Sequence, residues 1–400
     1  MKAVIKLLLL PLVLIVLFTQ CEKEPDPDNI TDDAFLNALI EMGVDTNGDG
    51  LISSEEAKAV TVLGLDDRNI SNLAGISAFV NLELLSCNNN HLTSLNLNRN
   101  TSLRTLICFG NQLTSLDVSP NTMLTYLHCG MNLLTELDVS NNTQLTFLGC
   151  YENLLTSLDV ASNSKLTKLN CNDNQISSLD VSNKTDLAEL NCYHNQISNM
   201  DLSNDTSLRI LDCDRNQLMI LDVASNTKLA SLDCSDNQIS NLDVSNNTEL
   251  YGLMCSRNEM SSLDVTNNTN LLWLYCSDNQ LTSLDVLNNV LLKNNLYCPN
   301  NMLTSLDVTN NPDLEWLRCQ GNQISALDVS NNTKLNLLYC GENLLSGLDV
   351  SNNSTLRNLD VDGMPSLKQV CVWVMPFPPD GVDVDTTNSP NVYFTVECSK

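Results

Sequence analysis

The chain has 400 residues, of which 48 are acidic and 20 basic, giving a formal net charge of −28. That balance argues against a nucleic-acid partner, because few cations are present to neutralise a phosphate backbone. It favours solubility and says little about fold. Aromatic residues make up 4% and apolar residues 42% of the chain, enough for a substantial core.

Lys2 and Lys6 precede an apolar run from Leu7 to Phe18, which breaks at Thr19-Gln20-Cys21. A charged start, a short apolar stretch and an abrupt polar switch predict an export signal over residues 1–20. The run is short for a membrane span. The segment resembles a bacterial lipoprotein signal, with Gln20 where that family usually has a small residue. The resemblance implies that Cys21 becomes the lipid-modified first residue of the mature chain. The acidic, Pro-bearing CEKEPDPD that follows suits a disordered tether over 21–32. It is similar to the stretch after the lipidated Cys in surface-exposed lipoproteins of Bacteroidetes-type bacteria. The implied location is the outer membrane, facing outward and held by the lipid alone.

Residues 45–56 read DTNGDGLISSEE and resemble the EF-hand calcium loop D-x-N-x-D-G-x-I-x-x-x-E. In that pattern Asp45, Asn47 and Asp49 supply oxygens and Gly50 permits the sharp turn. Leu51 offers its carbonyl, Ser53 acts through water, Ile52 faces the core, and Glu56 closes the site with both oxygens. One calcium ion is expected. DDAFLNALIEMG before the loop and SSEEAKAV after it are predicted to be short helices. A single loop lacks the partner of a calmodulin-like switch, so its expected role is to order a small helical N-terminal cap over 33–60.

From residue 61 a repeat takes over. Cysteines fall at 87, 108, 129, 150, 171, 192, 213, 234, 255 and 276, each 21 after the last, then at 298, 319 and 340 after one extra residue. Such a period predicts a solenoid. Each unit reads L-x-x-L-x-C-x-x-N-x-(L/I)-(T/S)-x-L-D-V-x-x-N-x-x. L-x-C and L-D-V both alternate with period two, so both are predicted as short strands with one face inward. Asn after each strand marks a turn. The expected fold is mostly β: about 14 coils over 61–361, with like strands stacked into two parallel sheets. One coil is too small to stand alone, so stability comes from neighbours.

The pattern L-x-x-L-x-C-x-x-N-x-L is similar to the leucine-rich repeat consensus. With L-x-x-L-D-V-S-x-N as its second half it resembles the nested bacterial subclass called IRREKO repeats. The resemblance covers about residues 60–361 and implies a binding scaffold of the kind found on bacterial surfaces, similar in plan to internalins. Some positions depart from the pattern. Lys184 and Asp205 replace the second Asn in two coils, the extra residue near Val290–Asn295 should bulge one coil, and Val361 takes the Cys position in the last. Residues 362–400 lose the period. They are expected to form a β C-terminal cap with strands near 368–374 and 391–397, stapled by a Cys371–Cys398 disulfide.

The ladder of cysteines does not ask for chemistry. In-register strands hold equivalent Cβ atoms ~4.8 Å apart, whereas a disulfide wants about 3.8 Å. His91, His128 and His194 sit at three different positions in their coils, so a Cys/His zinc site has no spacing to support it. The thiols read as small buried hydrophobes. The Asp of each L-D-V, from Asp117 to Asp349, points outward in a stripe, and its repulsion is offset by hydrogen bonds such as one to Ser119.

Function should lie where coils differ. The outward positions around the Cys strand carry tyrosines and tryptophans, and the D-V side has almost none. Tyr251, Trp273, Tyr275, Tyr297, Trp316, Arg318 and Tyr339 are the candidate ligand-binding residues, of types enriched in hot spots. No Ser/His/Asp or Cys/His arrangement, phosphate loop or separate carboxylate pair points to an enzyme. The expectation is a monomeric, non-enzymatic scaffold that binds a protein or glycan on the Cys-strand face. The alternative is a structural spacer or envelope component without a dedicated ligand.

Overall fold

A computed structural model describes residues 30–182 and 184–398. The export signal, Cys21 and most of the tether lie outside the described residues.

The chain enters through two helices. The Asp32 side chain accepts the Phe35 N–H at 3.0 Å and starts α1, Asp33–Glu41, which buries Phe35, Ala38 and Leu39. Ser53 and Glu56 cap each other's backbone and start α2, Ser54–Ala59. Phe35 meets Phe79 of the first coil at 6.4 Å between ring centres, so the helices seal the end of the stack.

The strand Val62–Gly64 then opens a parallel sheet of sixteen strands. Each is three residues long and centred on an inward apolar residue, such as Leu106 opposite Leu127. The ladder runs on through the cysteine: Cys108 N–H donates to the His128 carbonyl at 2.8 Å. One coil buries Leu103, Leu106, Cys108, Leu113, Leu116 and Val118, none more than 7% exposed.

Asparagines tie coil to coil. Asn111 donates to the carbonyls of Cys87 and Cys108 at 3.0 and 3.1 Å and accepts the Leu92 N–H at 3.0 Å. Asn121, in the second column, donates to Leu97 and Asn100 of the preceding coil at 3.2 and 2.9 Å.

The expected second sheet is absent over most of the stack. Among the described residues the L-D-V flank forms a ladder only near the C-terminus, in a bridge between Asp328 and Asp349 and a three-stranded sheet of Gly347–Asp349, Gln369–Cys371 and Tyr393–Thr395. Elsewhere side chains do that work. The Asp117 carboxylate accepts from Ser119 N and Oγ at 2.9 and 2.6 Å, and the second Asn column spans the coils. A ladder on one flank pins only that flank to ~4.8 Å per coil.

The extra residue leaves the sheet unbroken. Trp273 pairs with Asn295, 22 positions on, and both Lys293 and Asn294 turn their N–H to the Leu272 carbonyl at 3.3 Å. Residues 362–398 add strands to both sheets at the end of the stack. Asp383–Asp385, which the sequence pattern did not predict, extends the long sheet, and the two strands expected near 368–374 and 391–397 extend the short one.

Candidate functional site

The outward side chains of the long sheet form straight columns, because equivalent residues lie opposite each other. From Asp212 onward the column that holds Tyr275 reads Asp212, Asp233, Met254, Tyr275, Tyr297, Arg318, Tyr339, Asp360 and Asp385. Tyr275 and Tyr297 approach to 5.5 Å between centres, and the Arg318 guanidinium lies 5.4 Å from Tyr297 and 5.0 Å from Tyr339. The parallel column holds Trp273 and Trp316. Trp316 is 42% exposed, and Trp273 lies flat on Gly252, where a Cβ would meet its indole at 2.5 Å. Tyr251 precedes its strand, yet its ring reaches Trp273 at 5.2 Å. All seven candidate residues thus fall in one neighbourhood.

A second aromatic group lies nearer the N-terminus. Tyr126 stacks on Phe147 at 4.2 Å, and His128 packs against Phe109 at 4.8 Å and Tyr151 at 5.4 Å. Burial pushes the His128 pKa down, and its Nε2 has no hydrogen-bond partner. Tyr126 and Tyr151 are among the outward tyrosines of the sequence, but the group as a whole was not expected. Phe and His at the same outward positions were the signal available.

Between and beyond the rings lie carboxylates held away from water. Burial, reinforced by the charges of Asp233 and Asp214, raises the Asp212 pKa to about 7. Burial likewise raises Asp233, and it raises Asp360 to about 6.

The loop at 45–56 is closed by its own hydrogen bonds. Asp45 accepts from Gly48 N and Gly50 N at 2.7 and 2.9 Å, Asn47 from Asp49 N at 2.8 Å, and Asp49 from Leu51 N at 2.9 Å. Glu56 is buried and accepts five bonds, from Thr46 N and Oγ1, Asn47 N, and Ser53 N and Oγ. These bonds hold its pKa at about 2. Gly48 and Gly50 take φ of 76° and 80°, which a side chain would resist. The all-oxygen donor set and the turn suit calcium, although the carboxyl oxygens of Asp45, Asp49 and Glu56 do not all come within 4.8 Å of one another.

The thiol ladder offers no reactive group. All thirteen thiols from Cys87 to Cys340 are buried, and burial pushes Cys171, for one, up to about 12. Asp349, Cys371 and Cys398 do gather within 4.8 Å. The two sulfurs are bonded to each other, with Cα atoms 5.8 Å apart, so they have no thiolate to give a metal.

No protein-family model and no curated protein matches the chain. Solved structures do. The functional domain of InlJ from Listeria monocytogenes, which includes a cysteine ladder, has a TM-score of 0.76 and 37% identity over 84% of this chain and 74% of that one. InlF from the same species gives 0.66 and 22% over 86% and 97%. A leucine-rich repeat protein of Leptospira interrogans gives 0.64 and 21% over 83% and 85%. The last two speak for the fold alone. The InlJ match, joined to the sheet and thiol column above, settles the family: this chain belongs to the internalin-like leucine-rich repeat proteins of bacteria.

Proposed function

We propose that the protein is a non-enzymatic binding scaffold which recognises a protein or glycan through the outward face of its long sheet. The observation that carries this reading is the convergence of Tyr251, Trp273, Tyr275, Tyr297, Trp316, Arg318 and Tyr339 on one stretch of that face. Flat rings fixed in place by packing lose little entropy on binding. A spacer without a ligand has no use for them on one face only. Cys21 carries the lipid that holds a monomer at the cell surface, and the 45–56 loop takes one calcium ion as a structural tie of the N-terminal cap. No described helix is long and apolar enough to cross a membrane.

The test is capture from a panel of glycans and cell-surface proteins, with the Trp273→Ala/Trp316→Ala variant alongside. A ligand bound by the wild type and lost by the variant is expected. Ligands untouched by the variant, or no ligand at all, would favour the spacer.

A further inference from the structure

From Asp212 onward the column through Tyr275 has an unusual order: two aspartates, a middle of Met254, three tyrosines and Arg318, then two aspartates again. At each end of this run a carboxylate stands directly opposite a carboxylate, Asp212 to Asp233 and Asp360 to Asp385. Like charges so placed oppose folding. Among the described residues none of the four is in an ion pair, whereas nearby Asp214 and Asp236 are held by Arg215 at 3.6 Å and Arg257 at 2.8 Å. The middle of the column accepts a cation by its flat face, since the chain's own Arg318 sits between the rings of Tyr297 and Tyr339.

We propose that this line of the sheet docks an extended polypeptide segment with Lys or Arg at both ends of an apolar or aromatic stretch. Its cations meet Asp212/Asp233 and Asp360/Asp385, and its middle lies on Met254, Tyr275, Tyr297 and Tyr339. The inference rests on the sheet-face reading above and narrows its partner to a cationic protein segment. Asp233 and Asp360 are separated by six strand steps, roughly 29 Å at ~4.8 Å each. An extended segment rising ~3.3 Å per residue covers that in about nine residues.

The probe is a fluorescent peptide with a lysine pair at each end of about nine neutral residues, tyrosine and leucine among them. Its isomer carries all the lysines at one end. Anisotropy follows binding to the purified protein, to Asp212→Asn/Asp233→Asn, to Asp360→Asn/Asp385→Asn, and to Asp243→Asn/Asp264→Asn. The last pair removes two carboxylates from the L-D-V flank. The face substitutions relieve repulsion, so they do not threaten the fold. The wild type is expected to prefer the two-ended peptide, each face variant to weaken it about three- to tenfold, and the flank variant to leave it unchanged. Equal weakening by the flank variant would mean attraction to net charge alone. Equal affinity for the isomer, or no binding, would mean there is no docking line. Each of these overturns the inference. The broader reading is separable: a panel ligand lost by Trp273→Ala/Trp316→Ala but kept by both aspartate face variants upholds the face and overturns the cationic segment.

Discussion

Asp205 stands in the second asparagine column without the amide that its neighbours use. Asn226, one coil on, donates to the carbonyls of Leu202 and Asp205 at 3.1 and 3.0 Å. An ionised carboxylate can donate nothing. Asp205 is fully buried, both its oxygens are unpartnered, and burial raises its pKa to about 7. Lys184, itself buried with its pKa lowered by burial, offsets part of this, while Asp201 and Asp180 add to it. The folded state therefore keeps a proton that the unfolded chain releases near pH ~3.9. Stability from this group is complete below that value and is lost as pH rises through about 7. Asp212, also raised to about 7, acts in the same direction. Denaturant unfolding should find the wild type more stable near pH ~5.5 than near pH ~8. Asp205→Asn should exceed it by about 1–3 kcal/mol at the higher pH, with a smaller gap at the lower. No gain at the higher pH would show that Lys184 already satisfies the carboxylate.

At the scale of elements, alternation told which side chains turn inward but not where the backbone bonds go. Leu106 and Cys108 point in and their strand pairs with the next coil. Leu116 and Val118 point in equally well, yet Asp117 binds its own turn and no ladder forms there. Period two is the same in both cases, so two sheets were expected where one runs the length of the molecule. The strand Asp383–Asp385 escaped because its partner Asn358–Asp360 lies 25 positions back, outside the period. Candidate aromatics were legible by residue type. Of the acidic ends of their column, Asp212 and Asp233 lie 21 apart and follow from the period, whereas Asp385 faces Asp360 from 25 positions on, outside it. The cap loop was legible as a motif, but the motif does not show Glu56 clasping Thr46, Asn47 and Ser53. Calcium should raise the melting temperature of the wild type. At a concentration of about a hundred times Kd the gain is ~2.7 kcal/mol. Glu56→Gln should lose that gain and also melt earlier in chelator, because the clasp is weakened. Asp45→Asn should lose the gain with a smaller change in chelator. A wild-type melt indifferent to calcium would reduce the loop to a hydrogen-bonded turn.

Across the whole molecule, each coil leans only on its neighbours, so the ends decide how the stack opens. The N-terminal end is sealed by Phe35 of α1 against Phe79. The C-terminal end is sealed by Trp373, Phe377 and Phe394, at 5.2 and 4.8 Å between successive rings, and by the Cys371–Cys398 bond. That bond closes a loop of sequence separation 27, for which loop closure gives about 3–4 kcal/mol. The closed loop contains Asp383–Asp385 and so carries one acidic end of the proposed docking line. Cys371→Ser/Cys398→Ser should therefore lose hydrogen-exchange protection over the strands at 369–371, 383–385 and 393–395, while strands near Trp273 keep theirs. The two-ended lysine peptide should bind this variant more weakly, although no residue of the docking line has changed. Protection lost evenly along the chain would mean that the stack opens as one unit and the end has no special part. Unchanged protection at the end would mean that the aromatic cluster alone holds the last coil, and Asp385 with it.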